Sequence, residues 1–119
     1  MNFFKKMFSK KKDRSSQFIF RSARIDHFTA PATIKKGEKL SIAVNGYFSN
    51  LGWKLEEAKA DIKGNEITLI VIGKQKQGMM AAQALKAYET TIVVKGLKQG
   101  TYTIQAEKGS TSKAEVQVE

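Results

Sequence analysis

The chain has 119 residues, 41 % of them apolar, with nine glycines, one proline and no cysteine. That composition fits one globular domain and excludes a collagen-like or proline-rich chain, a disulfide framework and cysteine-ligated zinc. The formal net charge is +10, from 21 basic and 11 acidic residues, and no apolar run is long enough to cross a membrane as a helix.

Half of that net charge sits in the first 16 residues, where Lys5, Lys6, Lys10, Lys11, Lys12 and Arg14 face only Asp13. The opening MNFFKKMF has neither the apolar stretch nor the small-residue cleavage site of a secretory signal. Phe3, Phe4, Met7 and Phe8 recur at helical spacing, with Lys5, Lys6 and Lys10 on the opposite face. Two readings stand. One is a loose, solvated extension. The other is a short interfacial helix on an anionic membrane, with Phe3, Phe4, Lys5, Lys6, Met7, Phe8, Lys10, Lys11 and Lys12 in contact. Each lysine would add about 1 kcal/mol there, and so short a helix would order only on binding. Lys11 to Gln17 has linker character, which places a tail at 1–17 and the domain at 18–119.

From Phe18 the dominant period is two. Phe18 to Phe28 reads as one strand, broken by a bulge. Pro31 removes a backbone donor and suits an edge, and Lys35 to Glu38 is a turn. Lys39 to Tyr47 alternates cleanly, with Leu40, Ile42 and Val44 on one face. Leu55 to Ile62 is a weaker strand, and Lys63-Gly64-Asn65 marks a tight hairpin. Glu66 to Ile72 is apolar on both faces, as a covered central strand would be. Thr90 to Leu97, Thr101 to Glu107 and Lys113 to Val118 complete the set. Strands at such regular spacing predict an all-β fold, an antiparallel β-sandwich of about seven strands behind a short basic tail. No Gly-x-Gly-x-x-Gly or phosphate-loop pattern occurs, and no βαβ alternation.

One segment departs from the pattern. Gly78 to Tyr88 is rich in helix formers and reads as a short helix or a long loop. Met79 and Met80 read as fillers of core gaps. The alternative makes Met79, Met80 and Gln83 a binding loop between strands.

Gly96-Leu97-Lys98-Gln99-Gly100-Thr101-Tyr102 is the most specific stretch. It resembles the E–F corner of immunoglobulin-like and fibronectin type III-like domains. The resemblance extends over roughly Arg24 to Gly109, through the Lys-Gly-Glu turn, Gly46-Tyr47, Gly52-Trp53-Lys54-Leu55 and the Gly-Asn hairpin. It points to a group of bacterial immunoglobulin-like domains of unassigned activity, often found in secreted proteins and lipoproteins. It implies an immunoglobulin-like sandwich and a structural tyrosine corner, in which the Tyr102 hydroxyl bonds back to upstream backbone. Members often carry a cysteine pair near the positions of Trp53 and Ala81; this chain has neither cysteine.

Catalytic chemistry finds no foothold. His27 is the only histidine, and its neighbour Asp26 points to the other face of a strand. Glu56 and Glu57 split in the same way, and Asp13, Asp26 and Asp61 lack calcium-loop spacing. The sequence therefore predicts no enzyme, no metal and no cofactor, with no small-molecule substrate evident. Only Arg14, Arg21 and Arg24 are arginines, and that scarcity argues against nucleic-acid readout. Trp53, beside Tyr47 and Phe48, reads first as core between the sheets and otherwise as a binding patch. The expected role is a non-catalytic module that binds a protein or a copy of itself, with a tail-anchored membrane adaptor as the alternative. The absence of cysteine and of a signal sequence reads as a cytoplasmic location, with the inner membrane surface within reach of the tail.

Overall fold

The computed structural model describes residues 17–78 and 80–119. Among them lie nine strands and no helix. In chain order these are β1 (Phe18–Ser22), β2 (His27–Thr29), β3 (Thr33–Ile34), β4 (Leu40–Phe48), β5 (Lys54–Lys63), β6 (Glu66–Lys76), β7 (Lys86–Val94), β8 (Gly100–Ala106) and β9 (Lys113–Val118).

They form two sheets. The small one has the order β2-β4-β7, paired antiparallel throughout. The large one runs β5-β6-β8-β9-β3, and β1 also pairs with β6 beyond the end of β8. Inward-facing side chains of both sheets make the core. Leu40, Ile42, Val44, Ile92 and Val94 come from the small sheet, and Ile67, Leu69, Val71, Ile104, Val116 and Val118 from the large one. Burying each such side chain contributes about 1.5–3 kcal/mol. The alternation that predicted β4 is the alternation observed, since every second residue from Leu40 to Phe48 is buried. Residues Gly64 and Asn65 turn the β5–β6 hairpin, with Gly64 at a positive φ of 59°.

Two details differ from a simple stack of hairpins. The pairs β6–β8 and β3–β9 are parallel. Between β6 and β8 the chain visits the other sheet as β7, and a return of that kind permits parallel pairing. The central strand β6 is covered on one face only. Ile67, Leu69 and Val71 are buried, while Ile70 and Ile72 on the outer face are partly exposed.

The stretch Phe18 to Phe28 is not one bulged strand. β1 pairs with β6 in the large sheet and β2 with β4 in the small one, and residues Ala23 to Asp26 cross between the sheets. Ile25 lies at the crossing with no exposed surface. A buried crossing must satisfy its backbone. It does so through Ala23 N–H to Val71 O at 2.7 Å, Ile25 N–H to Lys108 O at 2.9 Å, Ser110 N–H to Ile25 O at 2.7 Å and Asp26 N–H to Asn45 O at 2.9 Å. This division, with the short β3, raises the strand count from about seven to nine.

Residues 80–85 form a loop, not a helix. The Ala82 carbonyl accepts the Leu51 N–H at 3.1 Å and the Ala84 N–H at 3.0 Å, and Lys86 already belongs to β7. After Leu97, which is buried, the Tyr102 hydroxyl accepts a hydrogen bond from the Lys98 N–H at 3.1 Å.

Candidate functional site

The crossing places unlike residues together. Arg21 lies opposite Gly73 on β6, at the end of β1. Arg24 follows within the crossing. Its carbonyl accepts the Tyr88 hydroxyl at 2.5 Å. Gly46 makes room for this contact, because a Cβ there would lie 2.3 Å from the Arg24 oxygen and 2.8 Å from the Tyr88 hydroxyl. Burial, and after it the charge of Asp26, pushes the Tyr88 hydroxyl up to about 12. The phenol therefore remains a neutral donor at any ordinary pH.

An aromatic group lies near these arginines. Phe48, at the end of β4, is 5 % exposed and packs against Gly73, where a Cβ would lie 2.6 Å from the ring. Trp53 stacks on Phe48 with centroids 6.4 Å apart and planes 19° apart, and Tyr88 packs on Phe48 at 4.9 Å. Lys86 Nζ donates to the Trp53 carbonyl at 2.8 Å. Trp53 is thus half-buried against the rim of the core, neither wholly within it nor on open surface. Tyr47 is 47 % exposed beside it.

Arg21, Arg24, Lys108, Tyr47, Phe48 and Trp53 together line a cleft of about 250 Å³. Lys108 Nζ donates to the Ser22 carbonyl at 3.3 Å. Arg24 approaches Asp26 at 4.0 Å, and neither Arg21 nor Lys108 has an ion pair among the described residues. The walls therefore combine positive charge with aromatic faces. Nothing in them resembles a nucleophile with its base. Among the described residues, no group of three His, Cys, Asp or Glu could hold a metal ion.

The residues singled out from the sequence lie as follows. Phe3, Phe4, Lys5, Lys6, Met7, Phe8, Lys10, Lys11 and Lys12 fall outside the described residues, as does Met79. Met80 does not fill the core; it is 94 % exposed, because its loop stands off the sandwich and offers it no cavity. Gln83 is exposed in the same loop. His27 is exposed on β2, away from the cleft walls. Tyr102 belongs to the corner after Leu97. Sequence reasoning missed the arginines of the cleft. The available signal was that both arginines of the domain lie within the four residues before the apolar Ile25.

Among the described residues, the exposed large apolar side chains other than Ile62 and Val93 lie toward this same end of the sandwich, where β4 and β6 finish and β1, β5 and β7 begin. Leu51, Met80 and Leu85 belong to its two loops.

Residues 42–118 match the family described as the ORF11 beta-sandwich domain. The matched span carries Tyr47, Phe48, Trp53 and Lys108, while Arg21 and Arg24 precede it. No curated protein and no solved structure matches the chain.

Proposed function

The chain belongs to the ORF11 beta-sandwich domain family, and from that premise we propose that it is a non-catalytic interaction module of immunoglobulin-like kind. It holds a protein partner at the end of the sandwich formed by residues 49–53 and 80–85. The observation that carries this reading is the concentration of exposed apolar side chains at that end, Met80 at 94 % and Leu85 at 68 % exposed among them. Contiguous apolar surface of this sort favours an interaction site, and loops held by a rigid scaffold are where binding residues gather. Among the described residues, no metal-ligand grouping lies at that end, which is compatible with binding without catalysis.

Site-specific photo-crosslinking in the protein's own cells tests the reading. Crosslinkers at Leu51, Met80 or Leu85 should give adducts with one protein, and a crosslinker at Lys63 on the opposite end should not. Equal labelling from Lys63, or no adduct from the three loop positions, would remove the proposal. Adducts with lipid that vanish when residues 1–14 are deleted would replace it with membrane attachment.

A further inference from the structure

We infer that the cleft is a socket for one acidic side chain followed by one flat apolar side chain, presented on a short segment of a protein partner. This rests on the interaction reading above and names the chemistry that the partner brings.

Charge points to the acidic half. Arg21, Arg24 and Lys108 all line the cleft, and the one ion pair among them is Arg24 with Asp26, 30 % exposed, at 4.0 Å. The lining is left with a surplus of positive charge. Two guanidinium groups suit a carboxylate because their planar forks can meet both of its oxygens. The aromatic part of the lining points to the apolar half. Trp53 and Tyr47 offer faces on which a ring can lie, and Phe48 backs them from the core.

The cleft is small. About 250 Å³ falls below the roughly 300–1,000 Å³ of pockets that enclose small-molecule ligands. It suits one or two side chains of a larger partner, in the manner of an anchor entering an interface pocket.

The socket is also pre-formed. Four backbone hydrogen bonds fix residues 23–26, the Tyr88 hydroxyl holds the Arg24 carbonyl, and Phe48 rests on Gly73. The loss of conformational freedom on binding then falls mainly on the arginine side chains.

The test is a titration of the full chain, followed by Trp53 fluorescence and amide NMR shifts. The probe is an acetylated, amidated peptide with glutamate and phenylalanine in sequence between glycines. Saturable shifts are expected at residues 21–25 and at Trp53. The double variant R21Q/R24Q should weaken binding tenfold or more, roughly what losing charge-assisted hydrogen bonds brings. It should remain folded, since Arg24 supports the fold through its carbonyl. A peptide with lysine in place of glutamate should not bind. Equal binding of the lysine peptide, absence of saturable shifts, or indifference to R21Q/R24Q would overturn the inference. So would tighter binding of a short single-stranded oligonucleotide, which would assign the cleft to nucleic acid. If the loop crosslinks form while the glutamate peptide fails to bind the wild-type chain, the interaction module stands and the acidic socket falls.

Discussion

Of the three connections that lead from the large sheet to the small one, two solve the same problem in opposite ways. Residues 23–26 join β1 to β2 through buried space, with a core isoleucine and four backbone hydrogen bonds to β6, β4 and the segment after β8. Residues 77, 78 and 80–85, between β6 and β7, lie largely at the surface. Among these described residues, the backbone bonds beyond the loop run to Gln17 at 2.5 Å and Leu51 at 3.1 Å. Burial of Ile25 forces the first connection to pair its backbone with the strands around it. Exposure releases the second from that demand, and it carries Met80 and Leu85 outward. The buried connection lines the cleft through Ala23 and Arg24.

Four substitutions probe this contrast, from the largest effect downward. Gly109 touches the crossing directly, and a Cβ there would lie 2.5 Å from the Ile25 oxygen and 2.7 Å from its nitrogen, at a φ of 104°. Gly109→Ala should cost about 3 kcal/mol or more in urea unfolding. A cost below about 1 kcal/mol would mean that the crossing is slack, and the contrast would collapse.

Tyr88→Phe removes the donor to the Arg24 carbonyl and should cost about 1–3 kcal/mol. The folded chain keeps the Tyr88 proton up to about pH 12, whereas an unfolded tyrosine loses it near the ordinary value of about 10. The native stabilisation from this group is therefore complete below that ordinary value and is lost as pH rises through the folded one. Thermal melts between pH 9 and 12 should show the stability gap between wild type and Tyr88→Phe narrowing. A constant gap would mean that the hydroxyl is not held as described.

The loop should respond less. Gly78 has a positive φ of 78° with open space around it, so Gly78→Ala should cost about 1 kcal/mol from backbone conformation alone. Smallest of all, Met80→Ser combined with Leu85→Ser should shift stability by less than about 0.5 kcal/mol. A larger loss would show that the loop packs on the sandwich and is not the looser connection. A brief trypsin digest sharpens the same point, since cleavage after Lys76 should precede cleavage after Arg24.

Much of the fold is legible in the sequence because burial follows period. Leu40, Ile42 and Val44 alternate in the chain and in the core. Gly64 and Asn65 turn the hairpin because the glycine accepts a positive φ. The crossing is not legible, because Phe18 to Phe28 has no glycine or proline to mark a break and Ile25 keeps the apolar rhythm across the change of sheet. The alanine-rich stretch before Tyr88 misleads in the other direction. Helix propensity is a fraction of a kcal/mol per residue, and it yields where β7 pairs with β4 from Lys86 onward. The cleft is the least legible feature. Its walls come from residues 21–24, 47–53 and 108, and no local pattern links them. A count of arginines argues against nucleic acid, yet their position, both within the four residues before one buried isoleucine, is the more informative fact.

The bonds at Ile25 also bear on how long the molecule takes to form. They join Ile25 to Lys108 and Ser110 across more than 80 residues of chain, and β3 pairs with the final strand β9. Such pairings require closure of a long loop before any contact rewards it, and folds dominated by them assemble in roughly milliseconds to seconds, not microseconds. The cleft draws its residues from positions 21–24, 47–53 and 108, so it exists only where this long-range pairing has brought segments far apart in the chain together.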